Sequence, residues 1–215
     1  MTRLPIAALL FATAATAGTT HLSVAPHSSL LLNGSSNVAS WRCTGTTLNA
    51  SMAVAAPIEQ INRVIDHIED GQIGPWMLDP AAMRFPQPSF ELTVPIDTLR
   101  CTGGRPMEND LRRALKTDQY PDIQFRFVQV RGGIEHDIDE NNYHAVIEGQ
   151  LSLAGTTRDI ELTVEAKRVS RDLFRMHADL PLRMSDFGIA PPTAFFGMLR
   201  AADRLNVAFN LFLQP

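Results

Sequence analysis

The sequence predicts an all-β fold, either a sandwich or a closed barrel of antiparallel strands, with two short amphipathic helices. Three observations carry this prediction. Apolar residues recur at every second position in six segments, the spacing of a strand that is buried on one face and wet on the other. Gly132-Gly133 and Gly155-Thr156-Thr157 supply turn chemistry between such segments. Two further stretches switch to a three- and four-residue spacing and contain a proline near their start.

Taken in order, Met1-Thr2-Arg3 gives a positive start, Leu4 to Ala15 is an apolar run, and Ala15-Thr16-Ala17 is a small-residue cleavage site before Gly18. Residues 1–17 therefore read as a secretory signal peptide and 18–215 as one domain. From Pro57, "PIEQINRVIDHIEDG" puts Ile58, Ile61, Ile65 and Ile68 on one helical stripe, with Gly71 as the stop. Gly74 to Pro88, with Trp76, Met77, Met83 and Phe85, reads as an ordered loop packed on the body. Phe90, Leu92, Val94 and Ile96 then alternate with polar residues. The second helix runs from Pro106, with Met107, Leu111, Ala114 and Leu115 on one stripe. Either helix would cap a barrel end or sheet edge, or serve as a lid over a cavity.

The remaining strands follow. Ile123, Phe125 and Phe127 share one face, as do Ile147, Gly149, Leu151 and Leu153. Ile160, Leu162 and Val164 repeat the pattern, then Phe174, Met176, Leu180 and Leu182, and finally Leu205, Val207, Phe209 and Leu211. "IEHDIDENNYH", residues 134–144, gathers acids and imidazoles but reads as a polar hairpin tip rather than a metal site.

Composition narrows function by exclusion. A chain of 215 residues, 45% hydrophobic and 20% charged, has enough apolar residues for one sizeable core. Its formal charge of −4, becoming −5 once Arg3 is cleaved away, comes with scattered Lys and Arg and disfavours nucleic acid. After the first 17 residues no segment has the length of apolar chain needed for a membrane span. Cys43 and Cys101, with no C-x-x-C spacing, most simply pair as a disulfide in an oxidising compartment. There is no G-x-S-x-G elbow, no H-E-x-x-H, no Walker loop and no G-x-G-x-x-G, so catalytic residues, metal and cofactor are all expected to be none.

Four stretches in order carry a resemblance. "SSNVASWRC", "VPIDTLRCTGGRPMENDLRRALKTDQYPDIQF", "GQLSLAGTTRDIELTV" and "MSDFGIAPPTAFFGMLRAADRLNVAFNLFL" are similar to motifs of the YceI-like family of exported, lipocalin-type isoprenoid-binding proteins, over most of residues 22–213. Pro57 to Pro88 looks longer than that family's usual connection. The resemblance implies a single antiparallel lipocalin-like barrel of about eight strands, periplasmic or secreted. Its apolar lumen would hold an isoprenoid, a quinone or polyprenol-like molecule, or another amphipathic lipid. The other reading is an exported structural, stress or respiratory accessory protein with a filled barrel. Monomer and homodimer both stay open.

Parity then nominates the lumen. Phe125 and Phe127 are candidate lining residues, with Leu92 and Val94, Leu151 and Leu153, and Leu162. Phe174, Met176, Val207, Phe209 and Leu211 complete the set from the last two strands. Phe187, Phe195 and Phe196, flanking Gly188 and Pro191-Pro192, would gate an entrance or plug one end. Trp41 reads as an anchor beside Cys43 rather than a ligand contact.

Overall fold

The computed structural model describes residues 18–71, 88–194 and 198–215. Residues 1–17, which read as a signal peptide, most of the loop from Gly74 to Pro88, and Phe195 and Phe196 lie outside these residues. The alternating segments form one closed antiparallel barrel of eight strand positions. Three of the positions are each shared by two short strands: β1 (Thr20–Val24) with β2 (Ser29–Ser36), β3 (Ser40–Gly45) with β4 (Asn49–Val54), and β5 (Ser89–Pro95) with β6 (Arg100–Cys101). The other five are continuous: β7 (Asp122–Asp137), β8 (Asn142–Leu153), β9 (Thr156–Ser170), β10 (Leu173–Arg183) and β12 (Leu199–Gln214), with a two-residue β11 (Thr193–Ala194) paired to β12.

The breaks have local causes. Between β1 and β2, Pro26 lacks an N–H and His27 adopts a left-handed φ of 72°, so the ladder cannot continue. Buried Ser28 repairs it: its hydroxyl donates to the Ala25 carbonyl at 2.9 Å and accepts from the Phe212 N–H at 2.9 Å. Between β5 and β6, Pro95 leads into a single 3-10 turn, Ile96–Thr98.

The two ends of the barrel therefore close differently. At one end β1-β4-β5-β7-β8-β9-β10-β12 runs full circle, because β12 pairs back onto β1 through Ser23↔Gln214 and Val24↔Leu213. At the other end the order is β12-β2-β3-β6, and β6 is only two residues long. A helix, α2 (Gly104–Ala114), follows β6 directly and continues the wall towards β7. It starts two residues before Pro106, which sits in its first turn, where a missing N–H costs nothing. The Cys43–Cys101 disulfide ties β3 to β6 at paired positions, and the buried Glu108 carboxylate accepts the Cys101 N–H at 3.3 Å.

The first helix, α1 (Ile58–Glu69), lies at the opposite end, against the β9–β10 turn. Pro57 is its N-cap, in extended conformation (φ −63°, ψ 149°), so the helix begins one residue later than the sequence suggests. Asn62 Nδ2 donates to the Arg171 carbonyl at 2.9 Å, and Arg168, largely shielded from solvent, pairs with Asp66 at 2.6 Å and with Glu69. Among the described residues no helix is long and apolar enough to cross a membrane.

Candidate functional site

The barrel interior holds a cavity, bordered by the inward residues towards one end of its strands. The cavity has a volume of about 620 Å³, and almost all of its wall is hydrocarbon. On several strands its floor falls between one inward residue and the next. Leu92, Phe125, Leu151, Leu162 and Phe209 border the space, whereas the next inward residues along their strands do not: Phe90 on β5, Phe127 on β7, Val164 on β9 and Leu211 on β12 belong to packed core. Phe90 and Phe125 meet across that floor with ring centroids 6.2 Å apart, tilted by 53°.

The floor depends on one glycine. Gly149 on β8 stands opposite Phe127, and a Cβ there would collide with the Phe125 ring and approach the Arg126 carbonyl at 2.8 Å. The missing side chain lets Phe125 tip across β8 and seal the bottom of the hollow.

The side wall under the break in β5–β6 is supplied by α2, whose Met107, Leu111 and Ala114, with Leu115 just beyond, face the cavity. The stripe read from the sequence is thus a cavity wall, and Met suits an irregular apolar surface. The mouth lies where the β2–β3 turn, the start of α2 and the segment before β12 meet. Val38, 69% exposed, borders it with Ser40, Thr102, Pro106 and Thr193.

Polar chemistry is confined to this rim. Arg183 borders the cavity at the end of β10 and stands directly opposite Arg204 on β12. The adjacent Asp203 accepts from the Ser185 hydroxyl at 2.7 Å and backbone N–H at 2.8 Å. Those hydrogen bonds, with smaller help from Arg183 and Arg204 and against some burial, hold its carboxyl below the usual range.

Most residues nominated from parity border this space, Leu92, Val94, Phe125, Leu151, Leu153, Leu162, Val207 and Phe209, and so does Phe187, which the sequence suggests as a gate or plug. Phe127, Phe174, Met176 and Leu211 point inward too, but below the floor, and pack against the core. Phe187 is 2% exposed within the 3-10 turn Met184–Phe187, so it is part of the wall and not a loop residue at an opening. Phe195 lies outside the described residues.

Sequence reasoning missed Trp41, Leu30 and Leu32, which also line the cavity. Leu30 and Leu32 sit in a continuous apolar run, "SLLLN", which marks a strand but not which of its leucines face inward. Trp41 carries no signal beyond its parity with Cys43. Cys43 and Cys101 are bonded, as expected. The 134–144 stretch is a hairpin tip, in which Asp137 Oδ1 accepts the N–H groups of Asp139 (3.0 Å) and Glu140 (3.2 Å). Among the described residues no group of side chains is arranged to hold a metal.

The fold and the hollow can now be set beside known proteins. The model of the YceI-like domain matches residues 36–213. The chain belongs to the YceI-like family. Two solved structures share the architecture of this YceI-like barrel. One is BcnA of Burkholderia cenocepacia (15% identity, TM-score 0.55, covering 86% of this chain and 94% of that one). The other is a polyisoprenoid binding domain from Saccharophagus degradans implicated in plant cell wall breakdown (13% identity, TM-score 0.58, covering 90% and 97%). At such identities the likeness is one of fold. A search of curated proteins finds no match.

Proposed function

We propose that this YceI-like protein is an exported, non-catalytic carrier or store that holds an isoprenoid, quinone-like or polyprenol-like, or a similar amphipathic lipid in the barrel lumen. The observation that carries the reading is the apolar hollow of about 620 Å³ with an exposed rim, within the size range of small-molecule sites. At about 30 Å³ per heavy atom it takes roughly twenty atoms, or about four isoprene units. Burying a methylene gains about 0.8 kcal/mol, so one five-carbon unit contributes roughly 3–4 kcal/mol before ordering costs. Three such units leave room for micromolar binding, about −8 kcal/mol. A hollow of this size argues against the filled-barrel accessory protein. The Cys43–Cys101 disulfide is consistent with a periplasmic or secreted location.

Native mass spectrometry after gentle purification tests this directly. The expected result is a co-purifying quinone or polyprenol mass, or uptake of an added C20 isoprenoid by the bare protein. A bare protein that takes up no added isoprenoid would overturn the carrier reading.

A further inference from the structure

Beside the mouth lies a second surface of opposite character. A groove of about 660 Å³ is lined by Asn33, Gly34, Ser35, Arg42, Arg204 and Asn206. It shares Ser40, Trp41, Thr102 and Leu205 with the apolar cavity, so the two spaces meet along a common rim. We propose that this groove is an anion-binding subsite that holds the phosphate or pyrophosphate headgroup of a lipid whose tail fills the cavity. The proposal rests on the lumen reading above and narrows its ligand class to acidic-headed isoprenoids.

The strand register builds the groove. Asn33 on β2 pairs with Arg42 on β3 and with Asn206 on β12, which sets three side chains in a row across three strands. Arg204 lies two residues along β12, next to the bulge between Ala201 and Leu205. Arg42 Nε donates to Asn33 Oδ1 at 2.9 Å, which orients the guanidinium while its terminal nitrogens make no hydrogen bond among the described residues. Neither Arg42 nor Arg204 has a carboxylate at ion-pair distance among those residues.

The charge balance points the same way. Arg183 and Arg204 face each other across β10 and β12, and like charges directly opposite on a sheet are destabilising. Among the described residues, Asp203, held by Ser185 and close enough to feel the charges of Arg183 and Arg204, offsets part of this, while Asp179 accepts from Asn206 Nδ2 at 2.7 Å and Asp110 on the cavity side is paired with Arg113. Arg42 and Arg204 line the groove and Arg183 stands opposite Arg204, an excess of positive charge that an anion held in the groove would relieve.

Trp41 connects the two spaces. Its indole lies over Gly34, where any Cβ would collide with the ring, and its Nε1 donates to the Ser35 carbonyl at 3.3 Å. A chain leaving the cavity for the groove passes this ring, which makes Trp41 both the divider and a built-in reporter.

The test uses the full mature chain carrying Trp76→Phe, so that Trp41 is the sole tryptophan. Geranylgeranyl phosphate and geranylgeraniol, which share one tail, are titrated by Trp41 fluorescence and calorimetry at low and high salt. The phosphate is expected to bind about tenfold more tightly at low salt, with the advantage shrinking as salt rises. In the Arg42→Gln/Arg204→Gln double variant, both side chains being exposed, the two lipids are expected to bind equally, with the alcohol's affinity unchanged. Equal binding by the unmodified rim, or a preference that survives the double variant, overturns the headgroup subsite and leaves the lumen reading standing. Inorganic pyrophosphate binding as tightly as the lipid phosphate would make the groove a free-anion site instead. If neither lipid binds, the lumen reading falls and the headgroup proposal falls with it.

Discussion

Along β12, Leu211 and Leu213 are completely buried among packed side chains, whereas Leu205 and Val207, on the same inward face of the same strand, border empty space. The strand, the parity and the residue types do not differ between these two halves. What differs is the perimeter. At the solid end, eight strand positions are joined edge to edge by hydrogen bonds, and eight strands leave an interior that side chains just fill. At the hollow end β6 stops after two residues, and a helix about 10 Å across stands in the wall between β6 and β7. The extra width is space that the inward leucines do not reach across.

Cutting into each half separates them most sharply. Leu211→Ala leaves a cavity in packed core and is expected to cost about 2–5 kcal/mol, whereas Leu205→Ala enlarges an existing hollow and should cost about 1 kcal/mol or less. Urea unfolding of both variants measures the gap. Equal losses would mean that the hollow collapses in solution.

The disulfide comes next. Cys43 and Cys101 are 58 residues apart, and closing that loop is worth about 4 kcal/mol at most. Reduction with dithiothreitol should therefore lower the melting temperature. The loss should also be local: β6 pairs with β3 at only two positions, so amides of α2 are expected to exchange faster on reduction while the β1–β12 seam stays protected. Uniform loss of protection would show that α2 is held by packing rather than by the covalent tie.

How far the sequence shows all this can be argued residue by residue. Alternation placed Leu92, Phe125, Leu162 and Phe209 on the inward face, because a strand's period of two leaves no other choice. It could not place the floor. Phe125 and Phe127 have the same parity, and their separation into cavity wall and core depends on Gly149 across the ladder and on α2 in the neighbouring wall, neither of them visible from β7 itself. The bulge at Val128, between Phe127 and Gln129, then shifts the parity of β7, so that Val130 rather than Gln129 turns inward. Trp41 reads as packing for the disulfide because its neighbour Cys43 is visible in sequence, while the space beside it is not.

A milder contrast adds volume instead of removing it. Ala178→Leu, below the floor and 2% exposed, overpacks the core and is expected to cost about 1–3 kcal/mol. The same change at Ala201, beside the cavity, should be close to neutral in stability and should weaken isoprenoid uptake by occupying the lumen. Thermal melts and lipid titration on the pair test both statements, and a destabilised Ala201→Leu would argue that the mouth is narrower than the structure has it.

The smallest effect separates the ends by the kind of bond that secures their helices. Where α2 is tied by sulfur, α1 is tied by charge, through Arg168 and Arg171 to Asp66. The hydrogen bond from Arg168, with its charge and that of Arg171, outweighs burial and holds the Asp66 carboxyl below the ordinary carboxylate range. A carboxyl depressed in the folded state contributes stability above its unfolded pKa of about 3.9 and loses it as pH falls through the folded value. The melting temperature of Asp66→Asn should thus lie slightly below that of the unmodified protein at pH 7, and the difference should vanish in strong acid. Because Asp66 is partly exposed, water and salt screen the pair, which keeps the shift small. A difference that persists unchanged at low pH would assign Asp66 a packing role instead and leave α1 held by its apolar stripe and the Asn62–Arg171 hydrogen bond.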